Sequence, residues 1–148
     1  MSSVFLPPSA TPSRKTIFLD LDETLIKSLS VEEYIKHPYL KKRAFRIEYR
    51  NPSAHRHGEP EKYEQYIVMR KGLKEFLQET AQHFEICVFT SAVREYAEAI
   101  VQQLDPSKSL FSHILSRENC SREDHKLVKL LSRIEGRDIS QMVLLDDN

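Results

Sequence analysis

Two acids, Asp20 and Asp22, follow directly on the short apolar run Thr16-Ile17-Phe18-Leu19, and Thr24 stands two residues further on. A carboxylate can act as a nucleophile and hold the transferred group covalently, which splits one difficult displacement into two easier ones. A second carboxylate close by can supply and remove the proton that the leaving and entering oxygens require. Residues two apart on a strand share a face, so the simplest geometry already keeps Asp20 and Asp22 together. Paired acids would repel an anionic substrate unless a cation lay between them, and a hard, oxygen-seeking ion such as Mg²⁺ suits that place. Asp20 and a later acid could hold it. Asp146, with Asp147 beside it, ends a second apolar run, Met142-Val143-Leu144-Leu145, and can provide that later acid. Thr90 ends a third run, Phe84 to Phe89, just before a helical pattern, where its hydroxyl and the neighbouring amides can bind an anion at a helix amino terminus.

These residues must be carried by elements that end in the same place. Thr16 to Leu19, Phe84 to Phe89 and Met142 to Leu145 read as strands buried on both faces, as parallel sheets require. Between them, Leu73, Phe76, Leu77 and Ala81 recur at helical spacing, and so do Val93, Ala97, Ile100, Val101 and Leu104, the last before Pro106. Leu127, Leu130, Leu131 and Ile134 trace a further helical face with Gly136 as its stop, and Ile114-Leu115 reads as a brief strand. Strands alternating with helices predict an α/β fold: a Rossmann-like parallel sheet with helices on both faces, in which the site lies at the carboxyl ends of the strands. From Ser30 to Met69 the pattern changes. Ser30 and Glu33 match a capping box for one or two helical turns up to His37. Phe45 to Tyr49 and Tyr66 to Met69 then suit strands, with a polar loop from Arg50 to Lys62, so residues 30–69 read as a small β-hairpin or three-stranded insertion. Residues 1–14, with Pro7, Pro8 and Pro12 among serines and threonines, read as a flexible lead-in to a domain at 15–148.

The run Asp20-Leu21-Asp22-Glu23-Thr24-Leu25 resembles the first motif of the haloacid dehalogenase superfamily, in the version found in small phosphatases that act on the RNA polymerase II tail. That resemblance implies phosphoryl chemistry through an aspartyl-phosphate on Asp20, with Asp22 as acid and base and Mg²⁺ held by Asp20, Asp22, Asp146 and Asp147. Thr90-Ser91-Ala92 is similar to the second motif, a threonine followed by two small residues, here with serine and alanine in swapped order. Thr90, Ser91 and Thr24 are then the residues expected around the phosphate. A lysine should neutralise the transition state. Val128-Lys129 is similar to the family's V-K-D-L pattern but departs from it at Leu130, and Lys126 is the other candidate. Helical spacing would set Arg122, Lys126, Lys129 and Arg133 on one polar face. Arg117 in Arg117-Glu118-Asn119-Cys120 resembles an R-E-x-C segment near the substrate phosphate, and Arg70 is a second arginine expected at the edge of the site. The resemblance covers roughly residues 15 to 148, loosely between 29 and 62. Relatives carry a closing helix after the last acids, so it also implies a chain truncated at Asn148, with weaker magnesium affinity than a longer version would have.

Composition narrows the alternatives. The 148 residues hold 40% hydrophobic side chains, enough for one domain with a buried core. Lys plus Arg (22) balances Asp plus Glu (22), so no field of one sign points to direct nucleic-acid binding or to an anionic membrane. The lead-in carries three prolines and no long apolar region, and no stretch reaches the roughly 20 apolar residues of a membrane span, so the expectation is a soluble nuclear or cytoplasmic chain with no anchor in these residues. Two cysteines in unlike contexts, Cys87 and Cys120, make no disulfide framework. Nor is either a phosphatase nucleophile, because the arginine needed six residues on is replaced by Val93 and Lys126. The three glycines, Gly58, Gly72 and Gly136, cannot form a phosphate cradle of the G-x-x-x-x-G-K type. His55 and His57 have no partner ligand in sequence. The resemblance thus implies a protein phosphatase acting on phosphoserine or phosphothreonine in a phosphoprotein segment, since so small an insertion leaves the site open. A small-molecule phosphatase of the same superfamily and a non-catalytic binding module are the alternatives. Relatives in mitochondrial import that keep the fold often lack the acids, and the intact acidic set here weighs against the last.

Overall fold

Four short, mostly apolar strands make the sheet that carries the site. In a computed structural model, which describes residues 3–148, the chain opens with Val4–Phe5 (β1) and then runs through Lys15–Leu19 (β2). Ile26–Leu29 (β3), the helix Val31–Lys36 (α1), and the long strands Ala44–Arg56 (β4) and Glu59–Met69 (β5) form the insertion. Leu73–Ala81 (α2), Phe84–Phe89 (β6), Arg94–Leu104 (α3) and Phe111–Leu115 (β7) follow. The chain ends with Ser121–Glu123 (β8), Lys126–Val128 (β9), Ile134–Glu135 (β10) and Met142–Leu145 (β11). The main sheet has the order β11-β2-β6-β7, all parallel, with Leu145 beside Leu19, Leu19 beside Val88, and Phe89 beside Leu115. The α/β class is as expected.

Alternation along the central strands decides what each face of the sheet covers. Leu19, Ile86 and Val88 point to one side and pack on Leu73 and Leu77 of α2 and on Val93, Tyr96, Ala97 and Ile100 around α3. Phe18, Cys87 and Phe89 point to the other, where Leu6, Leu115 and Ile134 cover them. That second face lacks the helix expected over Leu127 to Ile134. Asp124 and His125 both take positive φ, 48° and 65°, the signature of a tight hairpin turn, so β8 and β9 pair antiparallel instead. Leu131 and Ile134 still pack inward, but from a single turn at Leu131–Arg133 and from β10.

The expected flexible lead-in is likewise structured in part. Val4 and Phe5 pair with Ile134 and Glu135, and Leu6 is buried against the second face; Met1 and Ser2 lie outside the described residues. Gly136 is not a helix stop. It takes φ +86° where the first strand crosses, and a Cβ there would stand 2.3 Å from the Leu6 carbonyl oxygen. Gly136→Ala is therefore expected to lower the free energy of unfolding by about 1–3 kcal/mol, read as a lower urea midpoint at unchanged slope.

In the insertion the capping box forms as expected: Ser30 Oγ accepts from Glu33 N, and Glu33 returns to Ser30 N. The polar loop expected at 50–62 is the far end of a long hairpin, turned by His57 and Gly58 at φ 55° and 81°. Its strands are hard to see in sequence because exposed ion pairs, Arg46 with Glu64 and Glu48 with Lys62, occupy the cross-strand positions. β3 completes a three-stranded antiparallel sheet of order β3-β5-β4, so the insertion sheet begins at Ile26.

Candidate active site

The three apolar strands deliver their next residues to one edge. The parallel ladder runs a step beyond each strand: Asp20 N donates to the Leu145 carbonyl (3.1 Å) and Thr90 N to the Leu115 carbonyl (2.9 Å). Asp20, Thr90 and Asp146 thus leave neighbouring strands side by side. After Asp20 the chain folds sharply. The Leu21 carbonyl accepts from the amides of Thr24, Leu25 and Ile26, while the buried Leu21 and Leu25 anchor the loop in the core. Glu23 sits at φ 64°, a cost that the surrounding hydrogen bonds and packing offset.

Lys129 joins the acids. Its Nζ lies 2.8 Å from Asp20 Oδ1 and 2.5 Å from Asp146 Oδ2, and all three side chains are about nine-tenths buried (10%, 9% and 13% exposed). Of the two candidate lysines only Lys129 stands beside these acids: Lys126 is exposed on β9, paired along the hairpin with Glu123. The short β9 strand and the extended residues after it, rather than a helix face, bring Lys129 inward, and the proposed polar stripe of Arg122, Lys126, Lys129 and Arg133 does not exist. Thr24 Oγ1 donates to Asp20 Oδ2 (3.3 Å) and also reaches Asp147 Oδ1 (3.4 Å).

Carboxylate oxygens of Asp20, Asp146 and Asp147 all lie within 4.8 Å of one another, one from a buried residue, one from a half-buried residue and one from an exposed residue. An all-oxygen donor set of this kind, open on one side, fits a hard divalent cation that keeps some of its water. The Asp22 carboxylate stands outside that group. Its Oδ1 accepts from the hydroxyl of Tyr96 at 2.5 Å, so the two acids of the Asp-Leu-Asp segment are held by different partners.

Electrostatics follow the same division. Burial raises the Asp20 carboxyl above its usual range, against the pull of Lys129. Burial raises Asp22 as well, opposed by the Tyr96 hydrogen bond. Burial works against the charge of Lys129, but its bonds to Asp146 and Asp20 outweigh that and keep it firmly protonated. Asp146 is also penalised by burial, yet the Lys129 bond and the Asn148 amide hold it below the usual range.

Thr90 is buried, and its Oγ accepts from Ala92 N (3.1 Å), which leaves the hydroxyl proton to donate. Arg117 Nε donates to the Ser91 carbonyl (2.9 Å), and Arg70 donates from Nε to the Thr24 carbonyl (2.6 Å) and from Nη2 to that of Glu23 (3.2 Å). Each arginine so braces a loop of the site while lining a cavity beside it. Arg70, Leu25, Phe76, Asp146 and Asp147 border one of about 420 Å³; Asp22, Tyr49, Asn51, Gln65, Tyr96 and Arg117 border one of about 250 Å³. Tyr96 is the residue that the sequence did not single out. Its only signal is a polar-tipped aromatic on the apolar face of α3, a position that core packing explains equally well.

The chain is 31% identical over 148 residues to phosphatase PSR1 of Saccharomyces cerevisiae, an alignment covering 99% of this chain and 31% of that protein. It is 30% identical over 146 residues to CTD small phosphatase-like protein 2 of Dictyostelium discoideum, covering 98% of this chain and 23% of that one. The solved structure of Fcp1, an essential RNA polymerase II CTD phosphatase, superposes with a TM-score of 0.75 at 26% identity, over 92% of this chain and 38% of that one. The chain thus spans well under half the length of each. Among the described residues no helix is long and apolar enough to cross a membrane. The model of the NLI interacting factor-like phosphatase family matches residues 15–148, and with the strand-end acids in place the chain belongs to that family.

Proposed function

We propose that the chain is a Mg²⁺-dependent protein phosphatase that acts through an aspartyl-phosphate, on phosphoserine or phosphothreonine in a protein segment such as the RNA polymerase II tail. One observation carries the reading: a buried aspartate at a strand end, Asp20, ion-paired to Lys129 and clustered with Asp146 and Asp147. Such an acid is costly to the fold and is suited to attack on an anionic centre. The CTD phosphatases among the proteins it resembles support the substrate class.

In this reading Asp20 Oδ attacks phosphorus while Asp22 gives its proton to the departing seryl oxygen as the P–O bond breaks. Water then attacks the aspartyl-phosphate, Asp22 takes a proton from it, and inorganic phosphate leaves. Burial of Asp22 favours the protonated form that the first step uses. Lys129, Thr90 and the amides that follow Thr90 stabilise the transferring group, with Thr24 and Ser91 beside it and Arg70 and Arg117 at the rim. Asp20, Asp146 and Asp147, with the Asp22 carbonyl, would hold Mg²⁺, which when bound neutralises charge between nucleophile and phosphate. The catalytic unit is 15–148, with an insertion whose sheet runs from Ile26 to Met69, and a nuclear or cytoplasmic setting belongs to the same reading.

The test is hydrolysis of p-nitrophenyl phosphate and of a phosphoserine heptad peptide, with Mg²⁺ and after chelation. We expect turnover that falls at least about 100-fold on metal removal and a higher kcat/KM for the peptide. Failure to turn over either substrate in saturating Mg²⁺ would refute the phosphatase reading, and preference for sugar phosphates or nucleotides would refute its protein-directed part.

A further inference from the structure

We infer that Tyr96 is a positioning residue for the proton donor of the proposed reaction: its hydroxyl holds Asp22 Oδ1, committing one carboxyl oxygen to the protein and leaving the other to carry the proton. This rests on the phosphatase reading above. Among the described residues Tyr96 is the only side chain that donates to Asp22, at 2.5 Å. Asp20 by contrast is held by Thr24 and Lys129, so among the described residues no side chain that bonds the nucleophile also bonds the acid.

The phenol is itself fixed. Tyr96 is 5% exposed, lies on the buried face of α3 beside Ala97 and Ile100, and packs edge-on against Tyr49 of the insertion hairpin, with ring centroids 5.3 Å apart at 70°. Tyr49 in turn meets Tyr63 across the hairpin at 5.6 Å. The aromatic series therefore ties the acid both to the helix that follows Thr90 and to the insertion. The carboxylate it holds borders the cavity shared with Tyr49 and Arg117, beside the site rather than within the cation cluster.

A free aspartate side chain would sample several staggered rotamers, and a misplacement of about 1 Å can cost about 100-fold in rate. As the proton passes from Asp22 to the leaving seryl oxygen and the P–O bond breaks, the carboxylate left behind is charged. A hydrogen bond to an ionised acceptor is stronger than one to a neutral acid, so the Tyr96 contact tightens as the step proceeds.

Leaving groups separate this role from a structural one. Serine leaves as an alkoxide and needs the proton, whereas p-nitrophenolate leaves without it. Comparing kcat/KM, which reports the first chemical step, Tyr96→Phe should lose about 10–100-fold on the phosphoserine peptide and less than about threefold on p-nitrophenyl phosphate, in the same direction as Asp22→Asn. Equal losses on both substrates, or none on either, would overturn the positioning role while leaving the phosphatase reading in place. If the unaltered chain shows no Asp20-dependent turnover of either substrate, both fall.

Discussion

Asp20→Asn should abolish turnover, by about 10⁴-fold or more, without unfolding the protein. The amide is nearly isosteric but cannot attack phosphorus as a carboxylate does, so no covalent intermediate forms. The fold should tolerate the change because of how the charges are shared. Lys129 makes its shorter contact to Asp146 (2.5 Å) and keeps it when Asp20 loses its charge, so no buried ammonium is left unpaired. The amide oxygen can take the place that faces Lys129 while the amide nitrogen donates to Thr24 Oγ1. Unfolding by heat is expected to move by less than about 5 °C while the steady-state rate on p-nitrophenyl phosphate drops to background. A variant that retained a tenth of the activity would exclude Asp20 as the nucleophile. One that lost activity together with its cooperative unfolding transition would show that the acid matters to the fold first.

The acids of this site were legible because a buried parallel strand is written in sequence as an unbroken apolar run, and the polar residues that end such runs stand out. Leu19 to Asp20, Phe89 to Thr90 and Leu145 to Asp146 are three such boundaries, and adjacent parallel strands necessarily place them together. Short elements were less legible. Leu127, Leu130, Leu131 and Ile134 have helical spacing, yet Asp124 and His125 turn the backbone into a hairpin, a turn usually marked by glycine or asparagine. Lys129 was found as a motif residue while the element placed under it was wrong, since its pairing with Asp20 and Asp146 depends on tertiary path and not on helical phase. Tyr96 and the lead-in share one cause: a lone buried side chain such as Tyr96 or Leu6, whose partners are distant in sequence, has no distinctive local pattern.

The opposite end of the sheet carries the largest expected effect on stability. Glu85 of β6 and Thr16 of β2 are buried there, and Arg137 closes the pair. Its Nη1 donates to Glu85 Oε1 (2.5 Å) and Thr16 Oγ1 (2.9 Å), and Nη2 donates to Glu85 Oε2 (3.3 Å). Nε and Nη2 also reach the Pro7 carbonyl, at 2.9 and 2.7 Å, which pins the amino-terminal segment over the second face. Arg137→Ala leaves Glu85 buried with Thr16 alone, and removing one partner of a buried pair costs about 3–5 kcal/mol, or about 10 °C in the melting temperature of a domain this size. The pH dependence gives the sharper check. Burial would push the Glu85 carboxyl up, but the bonds from Arg137 and Thr16, with a smaller attraction from His113, hold it below the usual carboxylate range. A depressed carboxylate contributes stability that is present above its unfolded-state pKa, about 4.3, and is lost as the pH falls through the folded value. The unaltered chain should therefore weaken in acid through Glu85, and Glu85→Gln should flatten that part of the profile. In Arg137→Ala burial is opposed only by Thr16 and the smaller attraction of His113, the carboxyl rises, and the sign reverses. The deficit against the unaltered chain should then be greatest at neutral pH and shrink toward pH 4, as urea midpoints measured across that range would show. A deficit that stayed constant with pH would mean that Arg137 acts through the Pro7 carbonyl and packing alone.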